Sequence, residues 1–144
     1  MNRLEQAADR QELRSLVDRY ARAADERNRR NFAGVFTPDG VLSTSQGGRF
    51  EGRSAIAALI DHLDAHYPRT MHFVGNHDVE LDGDHAEALV YCLAHHMYSE
   101  DAESRRDTLM LIRYRDKYIR TEEGWRIKSR DLDIHWEEDR PLKS

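Results

Sequence analysis

Cysteine is nearly missing from this chain. Cys92 stands alone, so no disulfide can form within the chain, and a reducing compartment suits it. Long apolar runs are missing too. The first stretch, "MNRLEQAADRQELRSLV", breaks its leucines with charge, so neither a signal peptide nor a membrane span is expected. Excess positive charge is also absent: 22 Lys and Arg stand against 27 Asp and Glu, a formal net charge of −5. Basic residues are scattered among acids, as in "ERNRR" and "ESRRD", which reads as solvated surface rather than a nucleic-acid footprint. The expectation is a cytoplasmic protein with no nucleic-acid and no membrane partner.

Signatures of cofactor and metal chemistry are equally scarce. There is no GxSxG elbow, no HExxH and no paired CxxC, and "QGG" reads as a hairpin turn, not a phosphate loop. Nothing marks Cys92 as a nucleophile. Eight histidines invite a metal site, yet His72, His77 and His85 with Asp78 and Asp82 match no ligand spacing. No metal and no cofactor is expected.

What is present fits one domain over residues 1–144. Hydrophobic residues make up 39%, enough for a core at this length and too many for a disordered chain. Residues 3 to about 28 repeat apolar side chains at three- and four-residue spacing: Leu13, Leu16, Val17, Tyr20, Ala21 and Ala24. A short second helix is predicted over 30–36, stopping at Thr37-Pro38. "PDG" then turns the chain, and "VLSTS" and "GRFEG" suggest a hairpin. Ser54 is the expected cap of a third helix ending near Tyr67-Pro68. Strands follow at 70–81, with an irregularity at Gly75-Asn76, then at 85–99, 106–120 and 125–136. Helices first and an antiparallel meander afterwards give the α+β class. Such a curved sheet around a long helix can enclose a pocket.

One stretch calls for explanation. In "TMHFVGN", residues 70–76, strand alternation puts Met71 and Phe73 on one face and His72 and Val74 on the other. A buried histidine without a partner costs on the order of 1–3 kcal/mol. Asp25 follows Val17 and Ala21 at i+4 spacing, at the edge of the buried stripe, where a carboxylate could accept an imidazole N–H. Spacing alone leaves open that His72 is a satisfied core histidine and Asp25 a surface acid.

The stretches "YARAADERNRRNFAGVFTPDGVL", "FEGRSAI", "MHFVGNHDVELDGDHAEALVYCLAHH" and "YRDKYIRTEEGWRIKSRDLDIHW" resemble, in order and spacing, the SnoaL-like branch of the nuclear transport factor 2-like superfamily. Within it they look most like the group of scytalone dehydratase, hexachlorocyclohexane dehydrochlorinase and bile-acid dehydratase. The resemblance implies a cone of curved antiparallel sheet around N-terminal helices, a cystatin-like α+β barrel with one deep cavity. It also implies an aspartate at the end of the first helix paired with a histidine after the third, here Asp25 and His72.

The same resemblance offers Tyr20 as a polarising hydroxyl and His95 as a second catalytic group. Only one of His95 and His96 can face the cavity, and the alignment points to His95. Arg130 is the candidate for orienting substrate or a leaving anion. Val74 on the face of His72, Tyr91 on the face of His95, and Met110 are the expected substrate contacts. The function so implied is a cofactor-independent, dehydratase-like lyase acting on a small, mostly apolar molecule. A polyketide cyclase or double-bond isomerase, or a non-catalytic ligand-binding module, are the alternatives. A homo-oligomer, trimer or dimer, is expected because the outer face of such a sheet needs covering.

Overall fold

Asn2 starts the first helix. Its side chain accepts the Glu5 N–H while the Glu5 carboxylate accepts the Asn2 N–H, a reciprocal cap. Helix α1 (Arg3–Asp25) then runs with Leu13, Leu16, Val17, Tyr20 and Ala24 buried, as the three- and four-residue spacing predicts. Burying each of the larger of these contributes about 1.5–3 kcal/mol. In this computed structural model, which describes residues 2–143, α1 is shorter than its pattern suggests. Arg27 adopts φ 58°, and Asn28 caps the next helix by accepting the Asn31 N–H. The chain therefore leaves the helix at Asp25, not 28.

Helix α2 (Arg29–Gly34) and strand β1 (Phe36–Thr44) follow. "PDG" does not end an element. It lies inside β1 as an irregularity between Phe36 and Val41, so the expected turn is a bulge. Strand β2 (Arg49–Glu51) pairs with β1 as the predicted hairpin. Helix α3 (Arg53–His66) has Gly52 as its N-cap, with no side-chain cap bond. The proposed capping role of Ser54 is thus corrected, since it sits within the first turn.

Strands β3 (Arg69–Asp82), β4 (His85–Ser99), β5 (Arg105–Thr121) and β6 (Gly124–Pro141) form the antiparallel meander. The six strands lie in the order β2-β1-β6-β5-β4-β3, in a curved, unclosed sheet. The β3 register shifts between Val74 and His77, where Gly75-Asn76 was expected to be irregular. One pairing departs from the antiparallel expectation: β1 runs parallel to β6. A parallel neighbour needs a long crossover, and here α3 and four strands supply it. No described helix is long and apolar enough to cross a membrane.

Polar contacts fix α1 across the inner face. The Asp9 carboxylate accepts both terminal nitrogens of Arg120 at 2.9 and 2.8 Å and the indole N–H of Trp125 at 3.0 Å. Arg14 donates to the carbonyls of Gly75 and Val74, satisfying the β3 bulge. Trp125 is fully buried, so losing Asp9 strands its N–H. We expect Asp9→Ala to destabilise the fold by about 1–3 kcal/mol, read as a lower urea midpoint with unchanged slope.

Candidate active site

The end of α1 and the start of β3 are tied by one carboxylate. Asp25 Oδ1 accepts from His72 Nδ1 at 2.7 Å and from the Thr70 hydroxyl at 2.9 Å, and Oδ2 accepts the His72 backbone N–H at 3.0 Å. Burial alone would raise the Asp25 pKa; the His72 side-chain bond, then its backbone N–H, overcomes this and holds it below the usual carboxylate value. Because the carboxylate faces Nδ1, bonding assigns a proton to that nitrogen, and Nε2 makes no hydrogen bond among the described residues.

Arg27 braces this junction. Its guanidinium donates to the Ala24 carbonyl at 2.6 Å, the Thr70 hydroxyl at 2.7 Å and the Tyr67 carbonyl at 2.7 Å. The left-handed backbone at Arg27 turns the chain so that one side chain spans all three.

His72 lines a cavity of about 230 Å³ between the helices and the inner face of the sheet. Helices contribute Tyr20, Ala24, Phe32, Leu59 and Leu63, and the sheet contributes Leu42, Met110, Ile112, Tyr114, Leu132 and Ile134. Gln46, His62 and Tyr67 are further polar residues of its wall. No Asp, Glu, Lys or Arg lines it among the described residues. Its wall therefore offers mostly apolar surface with a few hydroxyl, amide and imidazole groups.

The strand after the β3–β4 turn reverses one sequence expectation. His95 points to the outer face, where its Nδ1 bonds the Asp107 carboxylate at 2.6 Å. His96 faces the cavity, its ring 5.8 Å from that of His72 and 5.0 Å from that of Tyr67. The Nδ1 of His96 lies near two carbonyls, Ala94 at 3.0 Å and Thr108 at 3.2 Å, so it carries the proton. Burial, then the nearby His72, lowers the His96 pKa. The ring is neutral, with a bare Nε2.

Other expected residues divide. Tyr20 and Met110 line the cavity. Burial pushes the Tyr20 hydroxyl up to about 12, so it stays a donor. Val74 shares the His72 side of β3 but packs against the core near α1 instead of lining the cavity. Tyr91 lies exposed on the outer face under the Arg113 guanidinium.

Arg130 is fully buried and does not line the cavity. Its guanidinium stacks 4.3 Å over Tyr20 and 4.0 Å over Tyr114. Two bonds to Asp116, 2.8 and 2.7 Å, hold it there. Tyr118 also donates to Asp116, and the Tyr118 hydroxyl contacts His77 Nε2 at 3.1 Å. Sequence reasoning missed Tyr67 and chose the wrong member of the histidine pair. Among the described residues, no group of three His, Cys, Asp or Glu is placed to hold a metal ion.

With this geometry in hand, comparison with known proteins places the chain. A SnoaL-like domain model matches residues 5–131. The chain belongs to the SnoaL-like family. It is 32% identical over 122 residues to an uncharacterised protein of Mycobacterium tuberculosis (strain ATCC 25618 / H37Rv), covering 83% of this chain and 81% of that one. The fold is similar to a type 2 hexachlorocyclohexane dehydrochlorinase, with TM-score 0.86, 19% identity, and 99% and 95% of the two chains covered. It is also similar to a candidate scytalone dehydratase of Novosphingobium aromaticivorans DSM 12444, with TM-score 0.84, 18% identity, and 96% and 92% covered.

Two histidines of this SnoaL-like domain, the half-buried His77 and the buried His96, contribute to its acid response. Burial lowers the His77 pKa from 6.5 to about 4, and His96 shifts the same way. Both bind protons more readily unfolded than folded. Their stabilising effect is therefore full above pH 6.5 and lost as pH falls towards about 4. Urea midpoints measured across this window should fall with pH, and His77→Gln should flatten the fall. Loss of the Asp25 contribution belongs to a more acid range, below 3.8.

Proposed function

We propose that this protein is a cofactor-independent lyase that dehydrates a small, uncharged, mostly apolar molecule bearing a hydroxyl β to a carbonyl. The observation that carries the reading is the Asp25–His72 pair, 2.7 Å apart, with the imidazole forming part of the cavity wall. His72 Nε2 takes the proton from the carbon next to the carbonyl. Asp25 stabilises the imidazolium that forms. The carbon–hydrogen electrons become the double bond, the hydroxide leaves, and the imidazolium returns its proton to it as water. A base of this kind contributes roughly 10²–10⁴-fold.

Tyr20 keeps its proton and polarises the carbonyl or the departing hydroxyl. His96 takes the place first given to His95: its neutral Nε2 accepts a hydrogen bond from a substrate hydroxyl. Tyr67, edge-on to His96, limits how the guest can turn. Arg130 acts from behind the wall: its charge on the Tyr20 ring makes that hydroxyl a stronger donor than burial alone would.

The test is a panel of uncharged β-hydroxy ketones, followed by enone absorbance and by loss of water in the mass spectrum. His72→Ala should abolish turnover with the fold intact. Asp25→Asn should remove most of it, and Tyr20→Phe should cost about 10–100-fold. The double variant Asp25→Asn/His72→Ala should be no worse than His72→Ala, because the two act as a unit. Wild-type activity in His72→Ala would leave a binding module as the better reading. Products of unchanged mass would point to an isomerase or cyclase using the same base.

The outer sheet face supports the expected homo-oligomer. Met71, Phe73, Leu93 and Trp136 are 65%, 64%, 41% and 58% exposed, and pairing carries them side by side across four strands. Such a belt favours contact between copies. Light scattering at micromolar concentration should give a dimer or trimer, and Phe73→Glu/Trp136→Glu should shift it to monomer. A monomeric wild type at that concentration counts against the assembly.

A further inference from the structure

Behind α2, on the opposite side of the chain's charge balance, lies a basic pocket. Phe32 of α2 lines the catalytic cavity, while its neighbours Asn31, Ala33 and Gly34 line a second, open pocket of about 730 Å³. Five arginines converge there, Arg19, Arg29, Arg30, Arg53 and Arg126, against one carboxylate, Glu123. In a chain of net charge −5, this local excess runs against the whole.

Some of these guanidinium groups are already held in place. Arg53 donates through Nε and Nη2 to the Phe36 carbonyl at 3.0 and 2.7 Å, which leaves Nη1 for another acceptor. Arg126 donates through Nη1 to the Trp125 carbonyl, and its buried Nε has no partner. Arg29 reaches Asp61 at 3.2 Å and Arg126 reaches Glu123 at 3.5 Å. Arg19 and Arg30 are exposed and form no ion pair among the described residues. The same pocket takes in Arg53 and Ser54, the first residues of α3, whose N-terminus carries no side-chain cap. Its open N–H groups add positive potential to that of the arginines.

We propose that this pocket binds a small soluble polyphosphate, an anion of two or more linked phosphoryl groups. Arginine forks match phosphoryl oxygens two at a time. Three guanidinium groups without a carboxylate partner, with two more beside them, exceed what one phosphoryl group can occupy. The lining contains no aromatic side chain, so it offers no stacking platform for a nucleic-acid strand. It has no large apolar residue to enter a bilayer either.

Calorimetry with inorganic pyrophosphate tests this at about 50 mM and about 500 mM salt, since screening should weaken a site of this kind. We expect saturable binding at low salt, weaker at high salt, with orthophosphate at least about tenfold weaker because it engages fewer forks. Arg19→Ala/Arg30→Ala, at two exposed positions, should weaken pyrophosphate binding by about tenfold or more while leaving the melting temperature unchanged. Arg53→Lys should weaken it less than Arg53→Ala. The proposal is overturned by no saturable binding to the wild type, by equal binding to the double variant, or by orthophosphate binding as tightly. Sedimentation with vesicles of phosphatidylserine in place of pyrophosphate binding would overturn it in favour of a membrane surface.

Discussion

The site depends on one carboxylate accepting three hydrogen bonds. Asp25 joins the last turn of α1 to the first residues of β3 through the Thr70 hydroxyl, the His72 backbone and the His72 ring. It works as structure and as chemistry together: the bonds that dock the helix also fix the tautomer of the imidazole. Half-buried, the carboxylate is stabilised by these donors against the desolvation that would otherwise raise its pKa. Arg27 extends the junction to Tyr67, so one guanidinium ties the residue beside His96 to the Thr70 support of the Asp25–His72 pair.

The second constraint is that charge is kept beside the cavity but out of it. Arg130 and Asp116 form a fully buried pair, an arrangement whose desolvation cost offsets much of its attraction. Its value lies in position. The cation rests on the rings of Tyr20 and Tyr114, which themselves line the cavity. Had Arg130 entered the cavity, an anionic substrate would fit. As built, the wall offers hydroxyl and imidazole groups and no carboxylate, ammonium or guanidinium among the described residues, which is what the proposed uncharged substrate requires.

Local rules made most of the fold legible before any coordinates. Three- and four-residue spacing marked α1, alternation marked the long strands, and Gly75-Asn76 marked the β3 irregularity. Non-local geometry was not legible. The parallel β1–β6 pairing joins segments separated by the rest of the chain, and no local pattern carries it. The residues of "PDG" favour a turn, yet pairing with β6 on both sides keeps them within a strand as a bulge. At the end of α1, helical periodicity alone ran on to residue 28. The left-handed Arg27 stopped it, a conformation that nothing in the residue type announces.

The histidine pair illustrates why faces of a strand must be judged by what covers them. The family resemblance points to His95, on the bulkier face of β4 with Tyr91 and Leu93, as the cavity residue. The structure puts that face outside, with Tyr91 and Leu93 exposed, and buries Ala86, Ala88, Val90, Cys92 and Ala94. Small residues suit the inner side because their side chains pack into the close-packed core between the sheet and the helices. Large apolar residues are left on the outer face, where a second copy of the chain can cover them. The run of small side chains ending in His96 was therefore the signal. Where small residues line a concave face, the polar residue that continues their alternation is the one that faces the cavity.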